Sequence, residues 1–394
     1  MTLSELIETL NNAADASLYS NASEEERMEL IAACAKLQGV VETPTQLTWR
    51  VVLAPHLAVA LRLGIDMKLF DVITSDKREV TVDQLASRVD ADPLLVRRII
   101  RILCGMSLFK EISQDTFERT PAADAYVTGS PLVEVVIMMT SDLETLSKAP
   151  SYFEENGFTS PRDAYNGPFQ YALGTKLTYF DWLPSKPRLQ QAVSAVMAFA
   201  RSNRGEDWLD FFPVSSKLRV DSPSDPLIVD IGGGLGQVLR AFKHKYPDLP
   251  GKLILQDLPV VIDSVQDLPA GIEAMPHDFF AQQPIRGARA YYLRAILHDW
   301  PDKQAHKILG SIKEAMSEGS ILLIDEIPLP ESNVSLFSAQ MDFMMMLAFS
   351  SLERTRTQFK TLLDDAGFDL VRIWTSSSVH PLSSSLLEAV LKKP

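Results

Sequence analysis

A regular alternation of short apolar runs and helical stretches from Pro226 onward constrains the fold more than any other feature of the sequence. The runs are PLIVDIGGGLG, GKLILQDLP, IEAMPHDFF, RAYYLRAILHDW and GSILLIDEIPLP. Stretches such as QVLRAFKHKY and DKQAHKILGSIKEAM separate them, a pattern typical of a parallel sheet with helices on both faces. DLVRIWTSSS and LLEAVLKK are expected to add a closing pair of strands. The sequence therefore predicts an α/β fold with a doubly wound, Rossmann-like sheet.

Glycines or polar residues stand at the end of each of the five runs. Because ligands bind beyond the carboxyl ends of the strands in open parallel sheets, we expect these residues to face one crevice. In chain order they are Gly232, Gly233, Gly234 and Gly236, then Asp257, Asp278, His298, Asp299, Asp325 and Glu326. Five runs that all end this way are hard to explain as ordinary loop polarity.

The glycine-rich turn after the first run favours a nucleoside ligand. A dinucleotide fingerprint that begins at Gly232 requires glycine at position 237, where this chain has Gln237, and the Gly-Lys-Ser/Thr of a P-loop is absent. Asp257 lies 25 positions after Gly232, near the spacing at which an acid meets a ribose diol. The turn therefore predicts close approach of a ligand to the backbone without a pyrophosphate, and S-adenosylmethionine (SAM) has the required chemistry.

Six motifs in a fixed order resemble one enzyme family. VDIGGGLGQVL, LILQDLPVVID, HDFF, YLRAILHDWPD, LIDEIPLP and LERT are similar to the successive motifs of SAM-dependent O-methyltransferases of the plant caffeate type and their fungal relatives. The resemblance covers residues 226–394 closely and the N-terminal half more loosely. It implies SAM as cofactor, S-adenosylhomocysteine as product and a homodimer.

The same resemblance implies a role for individual residues. Gly232, Gly233 and Gly234 would approach the methionine part of SAM, Asp257 would bind the ribose hydroxyls, Asp278 and Phe279 would border the adenine, and Arg294 would lie near the cofactor. His298 would be the catalytic base, with Glu326 and Glu353 beside it.

The chemistry of methyl transfer supports a base at His298. A phenol has a pKa near 10, and its oxygen must lose the proton as it attacks the methyl carbon. A histidine with a pKa near 6.5 can accept that proton at neutral pH, and carboxylates such as Glu326 and Glu353 would orient the ring and favour its charged form. The alternative to a catalytic role is a structural one, in which His298 stands at the start of a helix and its ring hydrogen-bonds to backbone groups.

The N-terminal half is predicted to be mostly helical and to contain a winged helix. TVDQLASRV and DPLLVRRIIRILCGMSLF read as two helices, and LFKEI and TFERT as a small β wing. We predict a dimerisation domain over residues 1–125 and a methyltransferase domain over 126–394, divided into a helical pocket-lining segment at 126–205 and a Rossmann-like core at 206–394. Arg97, Arg98 and Arg101 keep a DNA-binding regulator open as an alternative, although a net charge of −13 opposes nucleic-acid binding.

Two departures from the family pattern bear on the reaction. The stretch AFSSLERT has no glycine before Glu353, which could shift that carboxylate, and Arg201 stands where plant relatives often have His-Ser. Arg201 could grip an acidic substrate, or it could pair with a surface acid. A SAM-bound pericyclase or dehydratase that uses the sulfonium charge without methyl transfer therefore remains an alternative.

The acceptor is expected to be a hydroxyl on an aromatic or polyketide-type molecule. Met and aromatic side chains adapt to flat apolar ligands, and the predicted pocket residues are Met197, Arg201, Phe343, Met344 and Phe349.

Composition limits the remaining classes. The two cysteines, Cys34 and Cys104, cannot form a disulfide framework or a four-cysteine metal site, and no metal is expected. The N-terminus lacks the basic and apolar regions of a signal peptide, and no run reaches the roughly 18 uninterrupted apolar residues of a membrane helix. A cytoplasmic protein without a membrane or nucleic-acid partner is predicted.

Overall fold

The computed structural model describes residues 2–15, 22–75, 79–202, 206–376 and 384–393. The chain divides into two compact units, Met1–Thr128 and Gly129–Pro394. The first contains α1 (Leu3–Asp15), α2 (Glu24–Val41), α3 (Pro44–Asp66), α4 (Leu69–Ser75), β1 (Val80–Thr81), α5 (Val82–Val89), α6 (Pro93–Gly105), β2 (Phe109–Ser113) and β3 (Thr116–Arg119).

The winged helix predicted in the first unit is present. Thr81 caps α5 by accepting a hydrogen bond from the Gln84 N–H, and Asp92 caps α6 in the same way before Pro93. β3 pairs antiparallel with both β1 and β2. A core that includes Phe70, Phe109 and Phe117 holds these elements together.

The helices α1 to α3 expose much of their apolar surface. On α3 the exposed apolar residues are Leu47, Trp49, Val51, Val52, Leu53, Leu57, Val59 and Leu63. Among the described residues, α3 is the one helix that is long and apolar enough to cross a membrane. Only 17% of its most apolar stretch is buried. A single helix of this kind is weak evidence for a membrane span, and an apolar surface of this size also fits a protein interface.

The second unit contains the predicted sheet. Its helices are α7 (Pro131–Ser141), α8 (Leu143–Glu155), α9 (Pro168–Leu173), α10 (Tyr179–Trp182), α11 (Pro187–Ser202), α12 (Trp208–Phe211), α13 (Val214–Lys217), α14 (Gln237–Lys245), α15 (Pro259–Ile262), α16 (Asp302–Ala315), α17 (Leu336–Phe349) and α18 (Arg356–Ala366). Its strands are β4 (Pro226–Ile231), β5 (Lys252–Asp257), β6 (Ile272–Pro276), β7 (Ala290–Arg294), β8 (Ile321–Glu326), β9 (Phe368–Thr375) and β10 (Ser385–Leu391).

The order of the seven described strands, β6-β5-β4-β7-β8-β10-β9, places a crevice at the end of β4. The first five strands of that order are parallel, whereas β10 runs antiparallel to both β8 and β9. The connections leave β4 towards β5 on one side and reach β7 on the other, and this switch point is where α/β sheets bind ligands. Apolar clusters cover both faces of the sheet, so its central strands are buried. The predicted doubly wound α/β fold is confirmed.

Candidate active site

The loop that carries His298 begins with a sharp change of chain direction after β7. Ala295 has φ of +48°, in the left-handed region, and a one-turn 3-10 helix follows at Leu297–Asp299. At the end of β8, Glu326 Oε1 accepts hydrogen bonds from the backbone N–H groups of Ile296, Leu297 and His298 at 3.2, 3.0 and 3.3 Å. Glu326 therefore anchors the backbone of the loop.

Glu353 makes the direct contact with the His298 ring. The distance from His298 Nδ1 to Glu353 Oε1 is 3.0 Å, and an ionised carboxylate can only accept, so Nδ1 donates this hydrogen bond. In the neutral ring Nε2 is then the basic nitrogen. Asp299 Oδ1 lies 3.5 Å from Nε2, and 23% of the His298 side chain is exposed.

The electrostatic environment of His298 differs from the ordinary histidine assumed from the sequence. Burial by itself lowers the pKa of His298, but the negative charges of Glu326, Asp299 and Glu353 outweigh it and raise that pKa to about 10. Burial raises the pKa of Asp299 to about 7, against the opposing effect of the His298 charge, and it also raises the pKa of Glu326. His298 is therefore a stronger base than expected, and one that is mostly protonated at neutral pH.

Arg354, the residue after Glu353, holds the other end of the His298 loop. Its side chain is fully buried and donates to the carbonyl oxygens of Leu297 at 2.5 Å and Trp300 at 2.8 Å, and to Asp302 Oδ1 at 2.7 Å. Arg354 belongs to the LERT motif, but no role was predicted for it from the sequence. An arginine next to a proposed catalytic acid was the available signal.

The missing glycine before Glu353 does not displace that carboxylate. Ser350 ends α17 with φ of +59°, so a serine adopts the left-handed conformation for which glycine is favoured. Gly167 leaves room for the serine side chain, because a Cβ at 167 would lie 1.8 Å from Ser350 Oγ. The Glu353 N–H donates to Asp342 Oδ1 at 2.8 Å, which further fixes the segment.

The glycine turn after β4 has the backbone geometry expected of a cofactor cradle. Gly232 and Gly234 have φ of +69° and +60°, and a Cβ at 234 would point into space with only Gln237 Oε1 within 4 Å. The Gly234 N–H donates to Asp257 Oδ2 at 2.8 Å, and the Leu258 N–H donates to Asp257 Oδ1 at the same distance. These residues fit SAM, because the open turn and the carboxylate after the next strand meet at one edge of the sheet.

The other predicted cofactor residues lie around the same crevice. A Cβ at Gly232 would be 3.7 Å from the Phe279 ring, so the glycine turn and the third strand end are in reach of each other. Asp278 Oδ1 accepts from the Phe280 N–H at 2.9 Å. Arg294 Nε lies 3.5 Å from Asp325 Oδ2, and within the part of the chain that the structure describes the buried Arg294 Nη1 has no hydrogen-bond partner, so it is a candidate donor to a ligand.

A small aromatic pocket, with a cavity volume of about 10 Å³, adjoins the His298 loop. It is lined by Ala164, Thr178, Tyr179, Phe180, Asp299, Trp300 and Phe349. Phe180 stacks on Phe349 with ring centroids 5.3 Å apart and lies 5.8 Å from Trp300. Trp300 in turn contacts Phe279 at 6.0 Å, so a series of rings joins this pocket to the predicted cofactor side. Phe349 was among the predicted pocket residues, whereas Trp300 was given no role, although it stands in the HDWP stretch of the predicted catalytic motif.

The remaining predicted pocket residues do not line this aromatic pocket. Met197 and Phe343 are 53% and 46% exposed, and Met344 is partly buried on α17. The side chain of Arg201 lies outside the described residues. In the ranges that the structure describes, no group of three His, Cys, Asp or Glu side chains could hold a metal ion.

Comparison with known proteins decides the family. An O-methyltransferase domain matches residues 162–369, and an O-methyltransferase dimerisation domain matches residues 49–129. The chain belongs to the SAM-dependent O-methyltransferase family. Demethylsterigmatocystin 6-O-methyltransferase of Aspergillus parasiticus is 34% identical over 342 residues, which cover 86% of this chain and 86% of that protein.

Two similar solved structures extend over nearly the whole chain. LepI in complex with SAM has a TM-score of 0.84 and 28% identity, and the match covers 99% of this chain and 100% of that chain. A pericyclic reaction enzyme has a TM-score of 0.83 and 28% identity, with coverage of 98% and 100%. This O-methyltransferase uses SAM as its cofactor, in agreement with the family and with the SAM-bound relative.

Proposed function

We propose that this O-methyltransferase methylates a hydroxyl group on an aromatic, polyketide-type small molecule, with His298 as the general base. The observation that carries the proposal is the Glu353 contact, which leaves His298 Nε2 as the basic nitrogen in a loop whose next two residues, Asp299 and Trp300, line an aromatic pocket. The similarity to a demethylsterigmatocystin 6-O-methyltransferase favours transfer to an oxygen atom of a small molecule.

Each proposed residue has a separate task. Bound SAM supplies the electrophilic methyl group. His298 Nε2 accepts the hydroxyl proton, while Glu353 fixes the tautomer and stabilises the imidazolium. Glu326 holds the loop by its backbone. The glycine turn and Asp257 would hold the cofactor, and the pocket rings would orient the acceptor once the pocket has opened.

The test is to incubate the purified enzyme with labelled SAM and a panel of aromatic acceptors, and to analyse products by mass spectrometry. Methylated acceptor and S-adenosylhomocysteine should appear in equal amounts. His298→Ala should lower kcat about 10²–10⁴-fold, the usual contribution of a positioned base. His244→Ala, an exposed histidine on α14, is the matched control. A His298→Ala enzyme with the wild-type rate would remove the base from the mechanism.

A pericyclase that keeps SAM intact is the second candidate, and the likeness to a pericyclic reaction enzyme favours it. In that case the acceptor would be converted while SAM is not consumed. The same mass-spectrometric assay distinguishes the two functions, because the product carries the label from SAM only if the methyl group is transferred.

We also propose that the protein is a cytoplasmic homodimer that binds neither DNA nor a membrane. The matched dimerisation domain supports self-association, and the exposed apolar residues of α1 to α3 offer an interface. Arg97, on the winged-helix α6, is paired with Asp115 at 2.7 Å, and Arg101 lies 3.7 Å from the same carboxylate, so their charges are partly neutralised. Light scattering after gel filtration should give twice the chain mass. Monomer at micromolar concentration, or detergent-dependent solubility, would contradict this.

A further inference from the structure

Two buried glutamines connect the separate parts of the cofactor crevice. Gln256 precedes Asp257 at the end of β5, and Gln283 lies in the segment between β6 and β7 that also contains Asp278 and Phe279. Gln256 Nε2 donates to Gln283 Oε1 at 2.9 Å, and Gln283 Nε2 donates to Gln256 Oε1 at 2.8 Å. Their exposures are 0% and 2%, so the amide pair is sealed from water.

The backbone of Gln256 also holds the glycine turn. Its carbonyl oxygen accepts hydrogen bonds from the N–H groups of Gly232 at 2.8 Å and Gly233 at 3.0 Å. The next residue, Asp257, accepts from the Gly234 N–H. The end of β5 is therefore bonded to the glycine turn on one side and, through the amide pair, to the Asp278–Phe279 segment on the other.

Stability alone gives little reason to place amides here. Two buried amides that satisfy each other contribute little net stability compared with two apolar side chains of the same shape, whereas a single unpaired buried amide is destabilising. The pair does, however, fix geometry, because each amide donates to the oxygen of the other and Gln256 Nε2 also lies 3.4 Å from Met275 Sδ. Gln283 Oε1 additionally accepts from the Ile285 N–H at 3.2 Å, which ties the backbone of its own segment to the pair.

We propose that the Gln256–Gln283 amide pair is a positioning element that sets the separation between the glycine turn and the Asp278–Phe279 segment, and through it the affinity for the adenosine part of SAM. Neither glutamine needs to touch the cofactor. The pair differs from Asp257 in this respect, since it acts through the segments that it holds.

The test compares Gln283→Met with the double variant Q256M/Q283M. The single variant leaves the Gln256 amide unpaired and should lower both the melting temperature and the affinity for SAM. The double variant removes both amides, so its melting temperature should recover while its Kd for SAM stays raised about tenfold, measured by calorimetry. In kinetics the KM for SAM should rise by a similar factor, with kcat at saturating SAM and the KM for the acceptor within about twofold of wild type.

A fragment of the cofactor tests the adenosine claim. The Kd of 5′-methylthioadenosine, which lacks the amino-acid tail, should rise as much as the Kd of SAM. Ser320→Ala is the control, because Ser320 is buried and hydrogen-bonded to the Ala288 carbonyl at the opposite end of the strands. The proposal is overturned if the double variant recovers SAM affinity together with stability, or if 5′-methylthioadenosine binds the double variant as it binds the wild type.

Discussion

Replacing Glu353 by glutamine should change how catalysis depends on pH. Glutamine keeps a hydrogen-bond acceptor near His298 Nδ1 but removes the negative charge 3.0 Å away. An opposite charge at this range shifts a pKa by about 1–3 units, so the pKa of His298, about 10 in the native site, should fall by that amount.

The sign of the effect on rate changes with pH. In the native enzyme most of the imidazole is protonated at pH 7, because its pKa is raised to about 10. Lowering that pKa by about 1–3 units raises the neutral fraction at pH 7 about 10- to 500-fold, but it also makes His298 a weaker base. The Glu353→Gln enzyme should therefore be clearly slower than wild type at high pH, and this deficit should shrink or reverse as the pH falls.

The assay is kcat/KM for one phenolic acceptor at saturating SAM, measured between about pH 6 and pH 11, which brackets the expected pKa values. Ionisation of the acceptor is common to both enzymes and cancels in the ratio of variant to wild type. Glu318→Gln, an exposed glutamate, serves as the control. A ratio that stays constant over the whole pH range would refute the argument that Glu353 tunes the base.

Two further predictions concern the segments that position His298 and Glu353. Gly167→Ala should lower the free energy of unfolding by about 1–3 kcal/mol, because the new Cβ would clash with the Ser350 side chain. Adding Ser350→Gly should remove most of that cost. Denaturant titration of both single variants and the double variant measures the coupling, and additive effects of the two substitutions would contradict the prediction. Arg354→Met should cost about 2–4 kcal/mol of unfolding free energy, because the carbonyl oxygens of Leu297 and Trp300 lose their donors; an equally stable variant would show that water replaces the guanidinium.

Much of the sheet and of the crevice could be predicted because the signals are local. A buried parallel strand such as β8 is a continuous apolar run, and its acidic end at Asp325 and Glu326 is visible in the same few letters. The α5 and α6 boundaries follow from caps within three residues of each helix start. Order along the chain was then enough to bring the run ends to one edge of the sheet.

Contacts between distant segments could not be predicted in this way. Nothing near Gly167 in the sequence indicates that it faces Ser350, and nothing near Gln256 indicates Gln283 as its partner. Such pairings depend on how helices and loops pack over the sheet. The sequence shows that glycine is absent before Glu353, but it does not show that Gly167, at the start of α9, makes room for the Ser350 side chain.

The base strength of His298 is the clearest case of a property that belongs to no single segment. Glu326 comes from the end of β8, Glu353 follows α17, and Asp299 shares the loop after β7. Each carboxylate alone would be an ordinary neighbour, but together they outweigh the loss of hydration and bring the imidazole close to the pKa of a phenol. Once the imidazole is neutral, proton transfer between groups of nearly equal pKa is close to balanced, so the proton can leave the hydroxyl as the methyl carbon is attacked, without first forming a costly free phenolate.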